Sequence, residues 1–281
     1  MTDLWRSVLF LPASNPRAVE KARGLACDVA VLDLEDAVAP ETKAQARHAA
    51  VAAVRGGGFA PRLAVRINGL DTPWGADDLA ALAGTGIGLI VAPKVDGPGT
   101  VEALSQALPS DARLIAMIET PAAVLRLDAI AGSGGALAGL MLGVNDLAAG
   151  LGTGAAPDRE PLKPWLALTV AAARAHGLIA LDGVFNRIDD AEGFLSECDQ
   201  GRLYGFDGKS LIHPGQIAGA NTAFAPSTAE VAAAQAIVEA FAAPDAADKG
   251  AIRLDGRMVE RLHLDAAQAL LARHAATTGQ G

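Results

Sequence analysis

Eight short runs of apolar residues recur along the first three quarters of the chain, each bounded by polar or turn residues. They cover residues 8–11, 29–32, 63–67, 89–92, 114–118, 139–142, 178–181 and 203–206. Alanine-rich amphipathic stretches of helical length separate several of them, at residues 74–82, 100–108, 121–130 and 165–176. Nearly continuous apolar strands that alternate with helices predict a parallel sheet covered by helices. Eight such strands indicate that the sheet closes into a barrel.

The alternative for this pattern is an open, doubly wound sheet that binds a dinucleotide. A Gly-x-Gly-x-x-Gly loop after the first strand would favour that alternative, and the sequence has none there. We therefore predict an α/β fold, a TIM (β/α)8 barrel over residues 1–225 that forms the catalytic domain.

The residues after the eighth run predict a C-terminal helical extension, residues 226–281. Ser227 and Thr228 offer an N-cap for an alanine-rich helix that reaches about residue 241. A short extended piece, 251–254, and a last helix from about 256 to 274 follow. Because the barrel does not need this extension to close, we expect it to act as a lid, an oligomer contact, or both.

Composition narrows the class of protein. The 281 residues are 51% hydrophobic and carry a formal net charge of −9, which allows a large buried core and argues against a nucleic-acid partner. Only two cysteines occur, which favours a reduced, cytoplasmic setting. No apolar run approaches the roughly 20 residues that a membrane span needs, so we expect a soluble protein with no membrane partner.

Polar residues directly follow the apolar runs, strand after strand. Active sites of such barrels lie where the strands end, and charge placed there is costly unless it serves a site. This concentration predicts an enzyme. The strand-end segments are Asp33-Leu34-Glu35-Asp36, Arg66-Ile67-Asn68, Pro93-Lys94, Glu119-Thr120-Pro121, Gly143-Val144-Asn145-Asp146, Asp182-Gly183 and Asp207-Gly208-Lys209.

Glu119 and Asp146 follow the fifth and sixth runs, which should be neighbouring strands about 4.8 Å apart. Two carboxylates that converge there suit a hard cation, and Mg2+ typically takes one or two protein carboxylates. Zinc is disfavoured because no His or Cys has ligand spacing at a comparable strand end. The alternative is that each carboxylate only caps the helix that follows it. Taken together, the pair favours a magnesium site.

Arg66 ends the third run, where its guanidinium can hold a substrate carboxylate or stabilise an enolate oxygen. The alternative is an internal salt bridge to Asp33 or Glu35, and both can hold if the acids orient the arginine. Lys94 can neutralise substrate charge or pair with an acid. We disfavour a Schiff-base role for Lys94 beside a metal site.

These segments resemble the citrate lyase beta-subunit family, within the wider HpcH/HpaI aldolase and malyl-CoA lyase group. The resemblance spans nearly the whole chain in order. It rests on Arg6-Ser7-Val8-Leu9-Phe10-Leu11-Pro12, Leu32-Asp33-Leu34-Glu35-Asp36-Ala37-Val38, Val65-Arg66-Ile67-Asn68, Ala92-Pro93-Lys94, Ile118-Glu119-Thr120-Pro121, Gly143-Val144-Asn145-Asp146-Leu147, Gly205-Phe206-Asp207-Gly208-Lys209 and Ile212-His213-Pro214.

The resemblance implies roles for individual residues. Glu119 and Asp146 match the magnesium ligands, and Arg66 and Glu119 match residues that contact substrate. Family members act on thioesters of coenzyme A or of an acyl carrier, and they assemble as trimers or hexamers. In some members a C-terminal aspartate reaches a neighbouring subunit's site as acid or base, and Glu260 stands at the matching position here.

From these features we predict a Mg2+-dependent carbon–carbon lyase that cleaves a citryl-, malyl- or citramalyl-CoA-like 3-hydroxyacyl thioester. In this hypothesis the cation, held by Glu119 and Asp146, chelates substrate, Glu260 of a partner subunit takes the hydroxyl proton, and Arg66 stabilises the enolate. Asp33, Glu35 and Lys94 complete the substrate-binding set. One alternative is a thioester hydrolase with the same metal. Another is an acyl-carrier-dependent subunit that is inactive alone.

Overall fold

The computed structural model describes residues 4–109, 111–154, 156, 158–244, 246 and 249–279. The chain divides into two compact units. One is Trp5–Phe224, and the other joins Ala225–Gly281 with the N-terminal residues Met1–Leu4.

Eight parallel strands of the first unit form a closed barrel in which each strand pairs with the next and the eighth pairs with the first. This confirms the predicted α/β barrel. The strands are β1 (Ser7–Pro12), β2 (Val29–Asp33), β3 (Arg62–Arg66), β4 (Leu89–Ala92), β5 (Arg113–Ile118), β6 (Leu137–Leu142), β7 (Ile179–Asp182) and β8 (Gly208–Leu211).

Helices follow the strands along the chain. They are α1 (Pro16–Ala22), α2 (Lys43–Gly56), α3 (Gly75–Leu82), α4 (Pro98–Ala107), α5 (Pro121–Val124), α6 (Leu127–Ala131), α7 (Val144–Leu151), α8 (Lys163–Ala175), α9 (Ala191–Tyr204) and α10 (Ile217–Ala223). Single 3-10 turns at Pro40–Thr42, Glu160–Leu162 and Pro214–Gln216 precede α2, α8 and α10.

The apolar core has two layers because successive strand residues point to opposite faces. Val31 faces the barrel interior, where it packs with residues such as Val8 and Ile115. Its neighbour Leu32 belongs to the larger cluster that includes the helix residues. Strands buried on both faces therefore read as continuous apolar runs.

The predicted eighth strand, residues 203–206, is wrong. Leu203 is 85% exposed on α9, and that helix ends at Tyr204, where Gly205 caps it with a positive φ of 96°. The true β8 begins at Gly208 and contains Lys209, so it carries no apolar run that a hydrophobic pattern could detect. The predicted helix over 121–130 is likewise two short helices, α5 and α6.

The C-terminal unit contains α11 (Thr228–Ala242), strands β9 (Ala251–Leu254) and β10 (Arg257–Glu260), and α12 (Arg261–Thr278). Ser227 caps α11 as predicted. The predicted start of the last helix at 256 is wrong, because Asp255 and Gly256 form the turn of a hairpin with positive φ angles of 47° and 79°. An Asp-Gly turn is a strong hairpin signal.

Inside this unit α11 packs against α12, and the guanidinium of Arg261 lies 5.4 Å from the ring of Phe241. Across the described ranges, no helix combines the length and the apolar character needed to cross a bilayer.

Candidate active site

A cavity of about 370 Å³ opens at the carboxyl ends of the barrel strands. Parallel strands end at the same face of a barrel, which is why residues far apart in sequence meet there. Four residues predicted for the site, Asp33, Arg66, Glu119 and Asp146, line this cavity. The complete polar lining consists of Asp33, Asp36, Arg66, Glu119, Asn145, Asp146 and Ser210.

Arg66 is buried at the end of β3 and is held in a fixed orientation by carboxylates. Its Nε and Nη2 donate to the two oxygens of Asp33 at 2.7 and 2.6 Å, and its Nη1 lies 2.9 Å from an oxygen of Glu35. Asp33 and Arg66 are register partners on β2 and β3, so the sheet itself sets this pair. The two roles predicted for Arg66, an internal salt bridge and a contact to substrate, are therefore compatible, since the guanidinium bridged by the acids still lines the cavity.

The charge of Arg66 is secured by the same contacts. Burial alone would lower its pKa, but the hydrogen bonds and charge of Asp33 and the charge of Glu35 raise the pKa above its ordinary value. The ring of Phe10 lies 5.1 Å from Cζ and adds a cation–π contact. The site thus contains a permanent, oriented cation.

The segment after β2 is fixed from two sides. The buried Lys43 donates from Nζ to two backbone carbonyl oxygens of this segment, at 2.8 and 2.7 Å. The carboxylate of Asp33 accepts from the backbone N–H groups of Glu35 and Ala37 at 2.9 and 3.1 Å. These contacts hold the Glu35 carboxylate against Arg66.

Glu35 and Lys94, both predicted to bind substrate, contact cavity residues without lining the cavity. The Lys94 Nζ donates to Glu35 at 3.1 Å. Burial alone would lower the pKa of Lys94, but Glu35 raises it, and burial raises the pKa of Glu35. The structure therefore places this pair beside Arg66 as a supporting ion pair.

Lys94 also fixes Glu119 through its backbone. Its φ of 51° is left-handed, a conformation that non-glycine residues rarely adopt. In this conformation its N–H donates to Oε1 of Glu119 at 2.7 Å. Backbone strain of this kind persists only where the surroundings impose it, and it concentrates at functional sites.

The second carboxylate oxygen of Glu119 is buried and has no hydrogen-bond partner. Among the described residues only one other buried side-chain atom shares this condition, the hydroxyl of Thr169 on α8. Glu119 is 2% exposed, and burial, with the charges of Glu35 and Asp146, raises its pKa to about 7. An unpaired buried carboxylate oxygen is costly unless a ligand or ion completes it.

Gly143 makes room for Glu119. A Cβ at this position would lie 2.4 Å from the Cβ and 2.5 Å from the Oε2 of Glu119, closer than packed atoms allow. Gly143 ends the connection from β6, and Asp146 lies in the first turn of α7 immediately after it. Asp146 is exposed but lines the same cavity, and its charge acts on Glu119.

These features fit a hard divalent cation. Glu119 offers an unpaired carboxylate oxygen, and Asp146 offers a second carboxylate. The charge of Asp146 helps to raise the pKa of Glu119, and a cation bound between the two would lower that pKa. No cluster of three or more His, Cys, Asp or Glu in the described part of the chain could hold a metal ion. Magnesium commonly needs only one or two carboxylates, with water and substrate in its other positions.

The polar residues predicted at the ends of strands seven and eight do not line the cavity. Asp182 is fully buried, and its two oxygens accept from Arg159 at 2.8 Å and from Lys209 at 2.9 Å. Lys209 also pairs with Glu197 of α9 at 2.7 Å. Asp207 pairs with Arg174 of α8. These residues belong to ion pairs between strands and helices.

Glu260 ends β10 in the C-terminal unit, immediately before α12. Its backbone N–H donates to Nδ1 of His263 at 2.9 Å. Its assignment to a neighbouring subunit's site stays a prediction.

Comparison with known proteins identifies the family. The model of the HpcH/HpaI aldolase/citrate lyase family matches residues 6–214. The chain belongs to this family. This confirms the resemblance found in the sequence, and the barrel that carries the cavity is the part that matches.

Family relatives cover nearly the whole chain. A (3S)-malyl-CoA thioesterase of Cereibacter sphaeroides (strain ATCC 17025 / ATH 2.4.3) is 43% identical over 278 residues, covering 99% of this chain and 97% of that protein. An L-malyl-CoA/beta-methylmalyl-CoA lyase of Cereibacter sphaeroides (strain ATCC 17029 / ATH 2.4.9) is 36% identical, covering 95% of this chain and 93% of that protein.

A solved structure, the protein CitE from Mycobacterium tuberculosis in complex with magnesium, acetoacetate and coenzyme A, is similar over 96% of this chain and 97% of that chain. It has a TM-score of 0.80 and 34% sequence identity. The chain is thus an acyl-CoA-related member of an enzyme family with relatives solved with magnesium bound.

Proposed function

We propose that this chain is a divalent-cation-dependent hydrolase of a short 3-hydroxyacyl-CoA thioester of the malyl type. The observation that carries the proposal is the 43% identity with a malyl-CoA thioesterase over 99% of the chain, against 36% with a malyl-CoA lyase. This reverses the order predicted from the sequence, in which carbon–carbon lysis came first and hydrolysis was the alternative. The cavity chemistry is compatible with either reaction, so the proposal of hydrolysis is supported by the difference in similarity.

Glu119 and Asp146 would hold the cation, since both line the cavity and Glu119 has an unpaired oxygen. When bound, a magnesium ion would act as a Lewis acid toward substrate oxygens. The chain's own part is to keep Glu119 in place, through the Lys94 N–H and the close approach of Gly143. It also supplies the negative charge that attracts the ion.

Arg66 would bind the thioester carbonyl oxygen. Water attacks the carbonyl carbon, and the negative charge that develops on the oxygen is stabilised by the guanidinium that Asp33 and Glu35 orient. The carbon–sulfur bond then breaks, the thiolate of coenzyme A leaves and takes a proton, and the free hydroxy acid remains. Fixed orientation matters because a misplacement of about 1 Å can cost about 100-fold in rate.

A carboxylate must accept the proton of the attacking water. Asp36 lines the cavity and its Oδ2 lies 3.9 Å from Nη1 of Arg66, the group that would hold the carbonyl oxygen. Because Asp36 lines the cavity this close to Arg66, we propose it as the base that takes the proton of the attacking water. Glu260 of a neighbouring subunit in a homotrimer or hexamer is the other candidate, implied by the family resemblance.

The second candidate function is the lyase reaction, favoured by the 36% identical malyl-CoA/beta-methylmalyl-CoA lyase. There a base takes the proton of the 3-hydroxyl group, the bond between carbons 2 and 3 breaks, and a 2-oxo acid leaves. Arg66 would then stabilise the enolate of the shorter thioester, which takes up a proton at carbon 2.

Product analysis of the full-length protein separates the two. Purified chain with Mg2+ and malyl-CoA should release one free thiol and one hydroxy acid for each thioester consumed, measured with a thiol reagent and by chromatography. Arg66→Lys and Glu119→Gln should each reduce this turnover by about 100-fold or more, while Glu102→Gln, on the exposed surface of α4, should not. A 2-oxo acid without free thiol would support the lyase instead, and no turnover of malyl-CoA would reject both.

A further inference from the structure

The floor of the cavity is apolar, in contrast to its charged rim. Phe10, Met117 and Met141 line the cavity from β1, β5 and β6, and all three pack with the residues that fill the barrel interior. Met117 is 6% exposed and Met141 is 1% exposed, so each presents only a small surface to the cavity. Below them, interior residues such as Ile115 are fully buried and close the barrel.

The floor lies next to the groups that would hold the substrate. Sδ of Met117 is 3.9 Å from Nη1 of Arg66, and the Phe10 ring lies 5.1 Å from Cζ of the same guanidinium. Met117 precedes Glu119 by two residues, and residues two apart on a strand share a face. A thioester with its carbonyl oxygen on Arg66 and its hydroxy-acid end toward Glu119 therefore extends its carbons 2 and 3 across Met117.

We infer that Met117 and Met141 select the acyl group: the site accepts 3-hydroxyacyl thioesters whose carbons 2 and 3 carry hydrogen or a small alkyl group, and rejects those with an additional charged branch. This inference rests on the proposed function. A carboxylate branch directed at two thioethers and a phenyl ring would lose its water without gaining a hydrogen-bond partner. A methyl branch gains apolar contact, and methionine can adjust its shape to it.

The inference predicts a specificity profile for the wild-type protein. The ratio kcat/KM should be similar, within about tenfold, for malyl-CoA and for its 2-methyl analogue. Tenfold is the low end of what an apolar pocket discriminates for one methylene, and a floor of methionines can adjust its shape to the additional methyl group. For citryl-CoA, which carries an additional carboxymethyl branch, kcat/KM should be lower by about 100-fold or more.

Shortening the side chains of the methionine floor should shift the substrate preference toward larger alkyl branches. Met117→Ala and Met141→Ala should each raise the preference for a 2-ethyl analogue over malyl-CoA by about tenfold, since space is created where the branch points. Met117→Leu and Met141→Leu keep the side-chain volume and should leave the ratio within about threefold of wild type. Ile115→Ala is the matched control, since it removes a buried side chain from the same face of β5 but does not line the cavity.

The ratio of kcat/KM for the two substrates distinguishes a change in acyl-group selectivity from a loss of folding, because a partly unfolded enzyme loses activity toward both substrates together. If an alanine variant fails to fold, Met117→Val and Met141→Val take its place. Unchanged ratios in the truncated variants, a shift of equal size in Ile115→Ala, or efficient turnover of citryl-CoA by the wild type would each overturn the inference.

Failure of the proposed function has a different outcome, which is absence of free thiol from malyl-CoA with the wild type. In that case the selectivity of the methionine floor is tested by calorimetry, which measures the Mg2+-dependent binding of malyl-CoA and of citryl-CoA. Tighter binding of malyl-CoA than of citryl-CoA by about 100-fold would still support the inference, and equal binding would overturn it.

Discussion

The buried Glu119 carboxylate should make the stability of the protein depend on pH and on magnesium. Its pKa rises from an ordinary value of 4.5 to about 7 in the folded chain. A carboxyl with a raised pKa in the folded state contributes full stability below pH 4.5, and this contribution falls as pH rises to about 7 and is then constant. At about 1.36 kcal/mol for each pH unit, the loss is about 3 kcal/mol.

Glu119→Gln removes this loss because an amide does not ionise, while its carbonyl oxygen can still accept from the Lys94 N–H. Urea unfolding in EDTA should therefore show the variant gaining on wild type by up to about 3 kcal/mol between pH 5 and pH 8. Magnesium should stabilise wild type increasingly as pH rises through 7, since protons compete with the cation for the carboxylate. The variant should respond little to magnesium.

Glu102→Gln, an exposed substitution on α4, controls for loss of one negative charge. If wild type and Glu119→Gln keep a constant stability difference across this pH range, the carboxyl is not held in a desolvated environment. If the variant gains as much stability from magnesium as wild type does, Glu119 is not a ligand.

Two further substitutions, each with a control, test separately the catalytic cavity and the ion pairs between strands and helices. Gly143→Ala should reduce turnover about 100-fold by displacing Glu119 and should cost about 1–3 kcal/mol in urea unfolding, while Gly99→Ala, which has open space around it, should lower neither turnover nor stability. Lys209→Met leaves the buried carboxylate of Asp182 and the partly buried carboxylate of Glu197 without their shared ammonium, and should cost about 3–5 kcal/mol in urea unfolding. Lys163→Met, in a surface ion pair, should leave the unfolding midpoint close to that of wild type. Full activity in Gly143→Ala would contradict the role of Gly143 in positioning Glu119. An unchanged unfolding midpoint in Lys209→Met would contradict the stabilising role of the Lys209 ion pairs.

The barrel could be predicted from sequence because seven of its strands are apolar runs between helices. The eighth could not, since Lys209 occupies the position where an apolar residue was expected and is buried by pairing with acids. Burial through ion pairs leaves no hydrophobic signal. The neighbouring run 203–206 does carry that signal, yet it is the end of a helix and the turn after it.

Which strand-end residues meet in one cavity was only partly predictable. The rule that parallel strands end together predicted Arg66 and Glu119 at the same end of the barrel, and both line the cavity there. Asp182 met the same rule but points to the helices. A strand buried on both faces shows no alternation of polar and apolar residues, so the sequence cannot say which way its last side chain points. Ser210 and the methionine floor were missed for the same reason.

The barrel contains two groups of buried charged residues, one between strands and helices and one in the cavity. They differ in how completely their carboxylate oxygens are paired, and this difference distinguishes residues that support the fold from residues that bind a ligand. In the group between strands and helices, each carboxylate oxygen of Asp182 has a cationic donor, as expected where charge only supports the fold. In the cavity, Glu119 keeps one oxygen without a donor, and Lys94 adopts a strained backbone to position the other. If this region served stability alone, a hydrogen-bond donor for that oxygen would stabilise the protein, because a buried acceptor without a partner costs about 1–3 kcal/mol. The cost is recovered only when something from solution binds there, and a hard cation shared with Asp146 is the species whose chemistry fits.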